Sequence, residues 1–399
     1  MSLELDPAAP RGRGGLERAL LALLLAQLVP TLALFPYYAF ARQEAWGLRL
    51  FALALAALAV AAFVGVLRRA PWALWAVVVL VALKMVVDVF GYALTNELAP
   101  AVLATALNAA ILGIAFRLAG PMGARVTRGQ RAFFACVLAL AAWVAVRGLL
   151  FPGHLSRTIP FDVPPLHSRF LGAMYLSGAT FMLLGIRART WPEIRIVVPM
   201  VAIWTGMLGL VSLRFLDAFD WGRAPTWTWF IAYSAFPIVA AWIAWRQRGE
   251  ASTDARSTSA PDAEPPPASS PEPPSPPPAP LRAFLVGLGA LLTLLAAALL
   301  VAPEAMAALW PWTIGVQLAQ VYSAPFLSFG LGSLMAARAR AMGEIRIPLA
   351  ATLVFAAAVL AASLLHRGLF APDAPATWLW FGGFGLAAAV LARYVFARP

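Results

Sequence analysis

Apolar residues fall along the chain in blocks of about twenty, each bounded by short polar or arginine-bearing segments. A helix needs about twenty such residues to cross roughly 30 Å of hydrocarbon. The blocks are 19–40, 48–67, 71–94, 100–118, 132–150, 170–186, 194–216, 227–245, 281–301, 314–337, 345–365 and 378–396. The pattern predicts an all-α polytopic membrane protein with twelve transmembrane helices. The blocks group in fours: a four-helix unit over 19–118, a second over 119–248 and a third over 281–399. A polar tail, 1–18, precedes them. Residues 249–280 are almost wholly Pro, Ser, Ala, Thr and acidic residues, a composition that buries nothing and reads as a disordered linker. The first block ends near Ala39-Phe40-Ala41, which resembles a signal-peptidase site. Its length and Pro30 favour a retained first helix.

Composition agrees with this picture. The chain is 62% hydrophobic and 12% charged, against about 25% charged for an average soluble domain, and its mean hydropathy is +0.79. Fifteen tryptophans fit a chain with many membrane–water interfaces. The single cysteine, Cys136, rules out an intrachain disulfide and leaves no thiol pair for metal or redox chemistry.

The net charge of +12 raises nucleic acid as a partner, but the arginines sit singly or in pairs between apolar blocks rather than in a basic stripe. Their alternation fits membrane orientation instead. With the N-terminus inside, the inner segments hold Arg11, Arg13 and Arg18; Arg68 and Arg69; Arg125, Arg128 and Arg131; Arg187, Arg189 and Arg195; Arg246 and Arg248; Arg338, Arg340 and Arg346; and Arg393 and Arg398. The outer loops carry Glu97, Asp162, Asp217, Asp220, Glu304 and Asp373. The positive-inside rule then predicts both termini on the cytoplasmic side. The Ala-, Arg- and Pro-heavy composition suggests a bacterial cytoplasmic membrane.

An internal repeat accompanies this topology. At an offset of 151 residues, Pro152 matches Pro303, Pro160 matches Pro311 and Ser177 matches Ser328. Arg187-Ala188-Arg189 matches Arg338-Ala339-Arg340, and Glu193-Ile194-Arg195-Ile196 matches Glu344-Ile345-Arg346-Ile347. Ser212, Phe219, Trp227 and Trp229 likewise match Ser363, Phe370, Trp378 and Trp380. Matched Arg, Glu, Pro and Trp carry weight in so biased a chain, and they predict that units two and three are a duplication in parallel topology.

The first unit, through Leu50-Phe51-Ala52-Leu53 and Val81-Ala82-Leu83-Lys84, resembles the DoxX-like four-helix membrane proteins. Trp310-Pro311-Trp312 before a helix resembles uncharacterised bacterial polytopic membrane proteins. These resemblances imply a four-helix building unit and carry over no catalytic residue. Three sets of four helices also invite comparison with the haem–copper oxidase core. That reading fails, because His154, His167 and His366 all fall in or near loops.

The candidate chemistry is sparse. Lys84 and Asp88 lie four residues apart, on one face of the third helix and able to pair. Counted from Trp72, Lys84 stands about 18 Å along the helix, near mid-membrane. With Asn108 of the fourth helix they form a candidate ligand or ion pathway; the competing reading is a self-neutralised pair that orients the helix. Arg187, Arg189, Glu193 and Arg195, with Arg338, Arg340, Glu344 and Arg346, are expected at the cytoplasmic interface, capping helices and meeting lipid head groups. His154, His167 and Asp162 match no defined metal spacing, and His167-Ser168-Arg169 reads as an interfacial loop. Gln317, Gln320, Tyr322 and Ser323 make the tenth helix unusually polar, which interhelical hydrogen bonding explains. No catalytic residues, cofactor or metal are expected. The functional expectation is a non-enzymatic protein that binds an apolar or amphiphilic ligand, or a membrane subunit, between helix bundles. A small-molecule transporter and a membrane enzyme are the alternatives.

Overall fold

The computed structural model describes residues 13–36, 46–120, 123–247 and 275–396. Most of the polar tail, the Ala39-Phe40-Ala41 site and most of the Pro/Ser-rich linker lie outside these residues. The described residues are helical, with one isolated bridge between Arg125 and Thr190. The helices are α1 (Arg13–Pro36), α2 (Trp46–Leu67), α3 (Ala73–Thr95), α4 (Leu98–Leu118), α5 (Arg128–Leu150), α6 (Pro165–Arg187), α7 (Trp191–Ile194), α8 (Val197–Arg214), α9 (Ala224–Arg246), α10 (Ala279–Val301), α11 (Pro303–Leu309), α12 (Val316–Ala337), α13 (Met342–Leu365) and α14 (Pro375–Phe396).

Among the described residues eleven segments are long and apolar enough to cross a membrane, which makes this a multi-pass membrane protein. The eleven do not include α12, although it is 22 residues long and carries no charge. Its Gln317, Gln320, Tyr322, Ser323, Ser328 and Ser333 lower its hydropathy, and it compensates by being enclosed: fifteen of its residues are buried. A helix surrounded by other helices needs no lipid-facing apolar surface.

The described chain divides into two compact units. The first comprises residues up to 122 together with Phe230–Arg246; the second comprises Gly123–Trp229 and the chain from Gln247 onward. In the first unit α1 packs on α2 and α4, α2 on α3, and α3 on α4, a closed ring of four helices. Arg69, in the turn after α2, donates to Glu17 of α1 at 2.9 Å. Most of α9, from Phe230 to Arg246, belongs to this unit. Trp242 is fully buried with its ring edge-on to Phe116 and Trp75, at centroid distances of 4.9 and 6.3 Å. Trp245 Nε1 donates to Phe116 O at 3.0 Å and Arg246 Nε to Gly120 O at 2.9 Å.

In the second unit the element boundaries recur at the 151-residue offset. α10 matches α5 at both ends, α12 starts where α6 predicts, α14 where α9 predicts, and the 3-10 turn Arg367–Leu369 matches Leu216–Ala218. The hydrogen bonds recur too. Trp229 Nε1 donates to Ser212 Oγ at 2.8 Å, and Trp380 Nε1 to Ser363 Oγ at 3.0 Å. Thr226 Oγ1 donates to Asp220 O and Thr377 Oγ1 to Ala371 O, both at 2.7 Å.

The two halves exchange partners. α6 packs on α13 while α12 packs on α8. Ser177 Oγ of α6 donates to Ala351 O of α13 at 2.6 Å, and its counterpart Ser328 Oγ of α12 donates to Met200 O of α8 at 2.8 Å. Two glycine-lined crossings bring the outer helices in. A Cβ on Gly148 would stand 2.6 Å from Ser168 O, so only a bare backbone lets α5 meet α6 there. Gly289 and Gly330 serve the α10–α12 crossing in the same way.

Candidate functional site

The first unit places one chain of polar side chains among its apolar helices. α3 brings Lys84 and Asp88 one turn apart on an otherwise apolar helix, and α4 brings Asn108 to the same face. Asn108 is buried, 1% exposed. Its Nδ2 donates to Asp88 Oδ2 at 2.6 Å, and its Oδ1 accepts from Gln27 Nε2 of α1 at 2.6 Å. Thr31, one turn after Gln27, donates through Oγ1 to Gln27 O at 2.7 Å and accepts from Lys84 Nζ at 3.5 Å. Lys84, Thr31, Gln27, Asn108 and Asp88 therefore form one series across three helices.

All three residues anticipated from the sequence meet here, but their bonding differs from a simple pair. Lys84 turns to Thr31 and Asp88 to Asn108; no hydrogen bond or ion pair joins Lys84 to Asp88 among the described residues. Gln27 and Thr31 escaped sequence reasoning. Their spacing of four within an apolar block, on one helix face, was the available signal.

The series is incompletely satisfied. An ammonium has three donors, and Lys84 uses one, at the long end of hydrogen-bond distance. Gln27 Oε1 is buried without a partner. Lys84 and Asp88 are half-buried.

The paired motifs of the second unit behave differently. Glu344, 7% exposed, is ion-paired with Arg195, so the two Glu-Ile-Arg-Ile stretches meet. Glu344 Oε2 also accepts from Arg340 N at 3.2 Å, and Glu193 Oε1 accepts from Arg189 N at 3.1 Å, a capping contact repeated at the 151 offset. Arg346, the counterpart of Arg195, is exposed. Arg187, Arg189, Arg338 and Arg340 lie at the α6–α7 and α12–α13 turns, where Arg131 donates to Ala188 O at 3.4 Å and Arg282 to Ala339 O at 3.5 Å.

His167 is not in a loop. It lies in the first turn of α6, 4% exposed. Nε2 is 3.0 Å from Thr313 O and Nδ1 is 2.7 Å from Tyr322 Oη. A carbonyl only accepts, so the proton sits on Nε2 and Nδ1 accepts from the Tyr322 hydroxyl. Both ring nitrogens are satisfied, which makes His167 a core residue. His366, half-buried after α13, is hydrogen-bonded through Nε2 to Arg169. Burial, and then the Arg169 charge, hold its proton affinity below the usual histidine value. Among the described residues no three His, Cys, Asp or Glu side chains gather as a metal site.

No family model, curated protein or solved structure matches the chain.

Proposed function

We propose that the chain is a non-enzymatic protein of a bacterial cytoplasmic membrane that holds an amphiphile in its first four-helix unit. In this reading the apolar body of the ligand lies against the helices, and its polar group meets Lys84, Asp88 and Asn108. The observation that carries it is the unfinished bonding of Lys84: a half-buried ammonium, inside an apolar helix, with one long hydrogen bond for three donors. Charge within a membrane segment costs about 2.5–3.5 kcal/mol at the helix centre on insertion scales. A carbonyl, carboxylate or phosphate acceptor entering from the bilayer offsets that cost. The experiment is solvent extraction and mass spectrometry of the purified protein. Wild type retains about one equivalent of an amphiphile that Lys84→Gln does not; equal retention by both refutes the reading.

The same proposal includes twelve crossings with both termini inside, α12 being the crossing enclosed by others, and three four-helix units, the last two a duplication. The recurring boundaries and the Ser177 and Ser328 bonds support the duplication; the alternating arginines support the orientation. The DoxX-like resemblance of the first unit rests on the two short sequence stretches alone. The exposed arginines around Glu193 and Glu344, which are Arg187, Arg189, Arg338, Arg340 and Arg346, are then cytoplasmic and available to lipid head groups, whereas Arg195 is held by Glu344.

A second reading is small-molecule transport, favoured by one observation. Lys84 and Asp88 are bonded to different neutral partners, so either can change protonation without breaking a direct pair. Proton flux into pyranine-loaded proteoliposomes under an imposed gradient, present in wild type and absent in Asp88→Asn, selects this reading over simple binding.

A further inference from the structure

The polar series of the first unit has a direction, and Asp88 sets it. Asn108 Nδ2 donates to Asp88 Oδ2, which leaves Asn108 Oδ1 to accept from Gln27 Nε2, both at 2.6 Å. Gln27 Oε1 then ends the series without a donor. The oxygen and nitrogen of a side-chain amide occupy equivalent places on either side of its last bond. If Asp88 takes up a proton, its O–H needs an acceptor, and Asn108 supplies one by turning over. Asp88 then donates to Asn108 Oδ1, and Asn108 Nδ2 donates to Gln27 Oε1, which turns with it. Two hydrogen bonds exist before the proton arrives and two after. The buried Asn108 and Gln27 thus serve Asp88 in both of its forms.

Lys84 and Asp88 stand one turn apart on neutral partners, and as ammonium and carboxylate their charges cancel. Both side chains are half-buried, so a head group reaches them without opening the core. An anionic head group that accepts from the free donors of Lys84 Nζ places two negative charges around one positive charge in an apolar segment. Net charge at such depth is costly, and the group that can remove it by taking up a proton is Asp88. On α3 and the helices packed against it the other charged or titratable groups are Tyr92, Arg49 of α2, Glu97 and Arg117 at the ends of α4, and Tyr233 and Arg246 of α9. α1 has none between Arg18 and its end. Lys84 is the charge that acts on Asp88.

We propose that this site binds an anionic amphiphile together with one proton, the anion at Lys84 and the proton on Asp88. This coupling rests on the amphiphile reading above, to which it adds the charge of the ligand. Ammonium and carboxylate become ammonium, carboxylic acid and bound anion, so the net charge of the site does not change. A neutral head group binds without the proton.

The test is calorimetric titration of the full chain in detergent, from about pH 5 to about pH 8, in buffers of different ionisation enthalpy. The probes are a short-chain phosphatidylglycerol, an alkyl sulfonate and a neutral monoacylglycerol of matched chain length; both anions stay ionised over this range. Wild type should take up about one proton per bound anion and bind the anion roughly tenfold more weakly for each pH unit gained. Binding of the phospholipid alone points to a lipid phosphodiester, and binding of both anions to any anionic head group. The monoacylglycerol should bring no proton and show no pH dependence. Asp88→Asn should bind the anion without proton uptake and equally at both ends of the range. If Asp88→Asn does not fold, infrared difference spectra of wild type decide, since a carboxylic acid carbonyl band should appear with the anions and not with the neutral probe. Binding of none of the three probes overturns the amphiphile reading and this coupling with it. Anion binding without proton uptake, or a wild-type pH slope in Asp88→Asn, overturns the coupling alone.

Discussion

Arg195 is ion-paired with Glu344, and this contact, between residues 149 apart in the chain, joins the two copies of the repeated motif. The opposite pairing, Glu193 with Arg346, is not equivalent: Glu193 is bound to the turn at Thr190, 2.9 Å from its backbone N and 2.8 Å from Oγ1, and Arg346 faces outward. One exchange contact therefore does the work that symmetry would divide between two. Breaking a buried pair costs about 3–5 kcal/mol, but Arg195 is about a third exposed, so Arg195→Ala should cost about 1–3 kcal/mol. Arg346→Ala should cost less than about 0.5 kcal/mol. Denaturant unfolding in mixed micelles measures the difference, and equal costs for the two substitutions argue against the asymmetry.

The recurring serine–tryptophan bonds predict matched effects. Ser212→Ala strands Trp229 Nε1 and Ser363→Ala strands Trp380 Nε1, each in a buried setting. Each should lower stability by about 1–3 kcal/mol, the cost of an unsatisfied buried donor. Tryptophan fluorescence during unfolding reports both. A large effect at one site and none at the other shows that the two indoles are not held alike.

Glycines separate by their surroundings. Gly148→Ala drives a methyl into the Ser168 carbonyl and should cost about 1–3 kcal/mol by overpacking. Gly382→Ala, on α14 with nothing near its added methyl, should be neutral or stabilise by up to about 1 kcal/mol from helix propensity. Thermal unfolding in detergent ranks the pair, and the reverse order refutes the close α5–α6 crossing.

His366 sets a pH dependence. Burial and the Arg169 charge disfavour its protonated form in the folded protein, whereas the unfolded chain titrates near the usual value of about 6.5. Below that pH the unfolded state takes the proton first. The contribution is therefore complete above about pH 6.5 and is lost as pH falls toward and through the lower folded value. Wild type should lose stability from pH 7 to pH 5 relative to His366→Gln. Parallel pH curves for the two proteins exclude this role.

Helices and their faces were legible because both depend on local pattern. Leu98–Leu118 and the end of Ala279–Val301 were bounded to within about two residues by apolar length alone. Val316–Ala337 was seen as a helix, yet its polarity departs from what a lipid-facing segment needs, and only its burial explains that. The exchange of partners between α6 and α12 was not legible. Nothing in Ser177 or Ser328 says whose carbonyl it will meet, because a serine on a helix can equally bond its own preceding turn. His167 was misplaced for the same reason, since Tyr322 and Thr313 are more than 140 residues away. At the candidate site, Lys84, Asp88 and Asn108 stood out as charged or amide groups in apolar blocks. Gln27 and Thr31 were overshadowed by the charges, although they complete the series.

The unfinished bonding of Lys84 is tested most directly by native mass spectrometry of the full chain, released from detergent and titrated with an anionic short-chain phospholipid. Wild type should hold one equivalent at least tenfold more tightly than Lys84→Gln, with the melting temperatures of the two unchanged to within a few degrees. Identical binding curves for the two proteins would contradict an amphiphile site at Lys84.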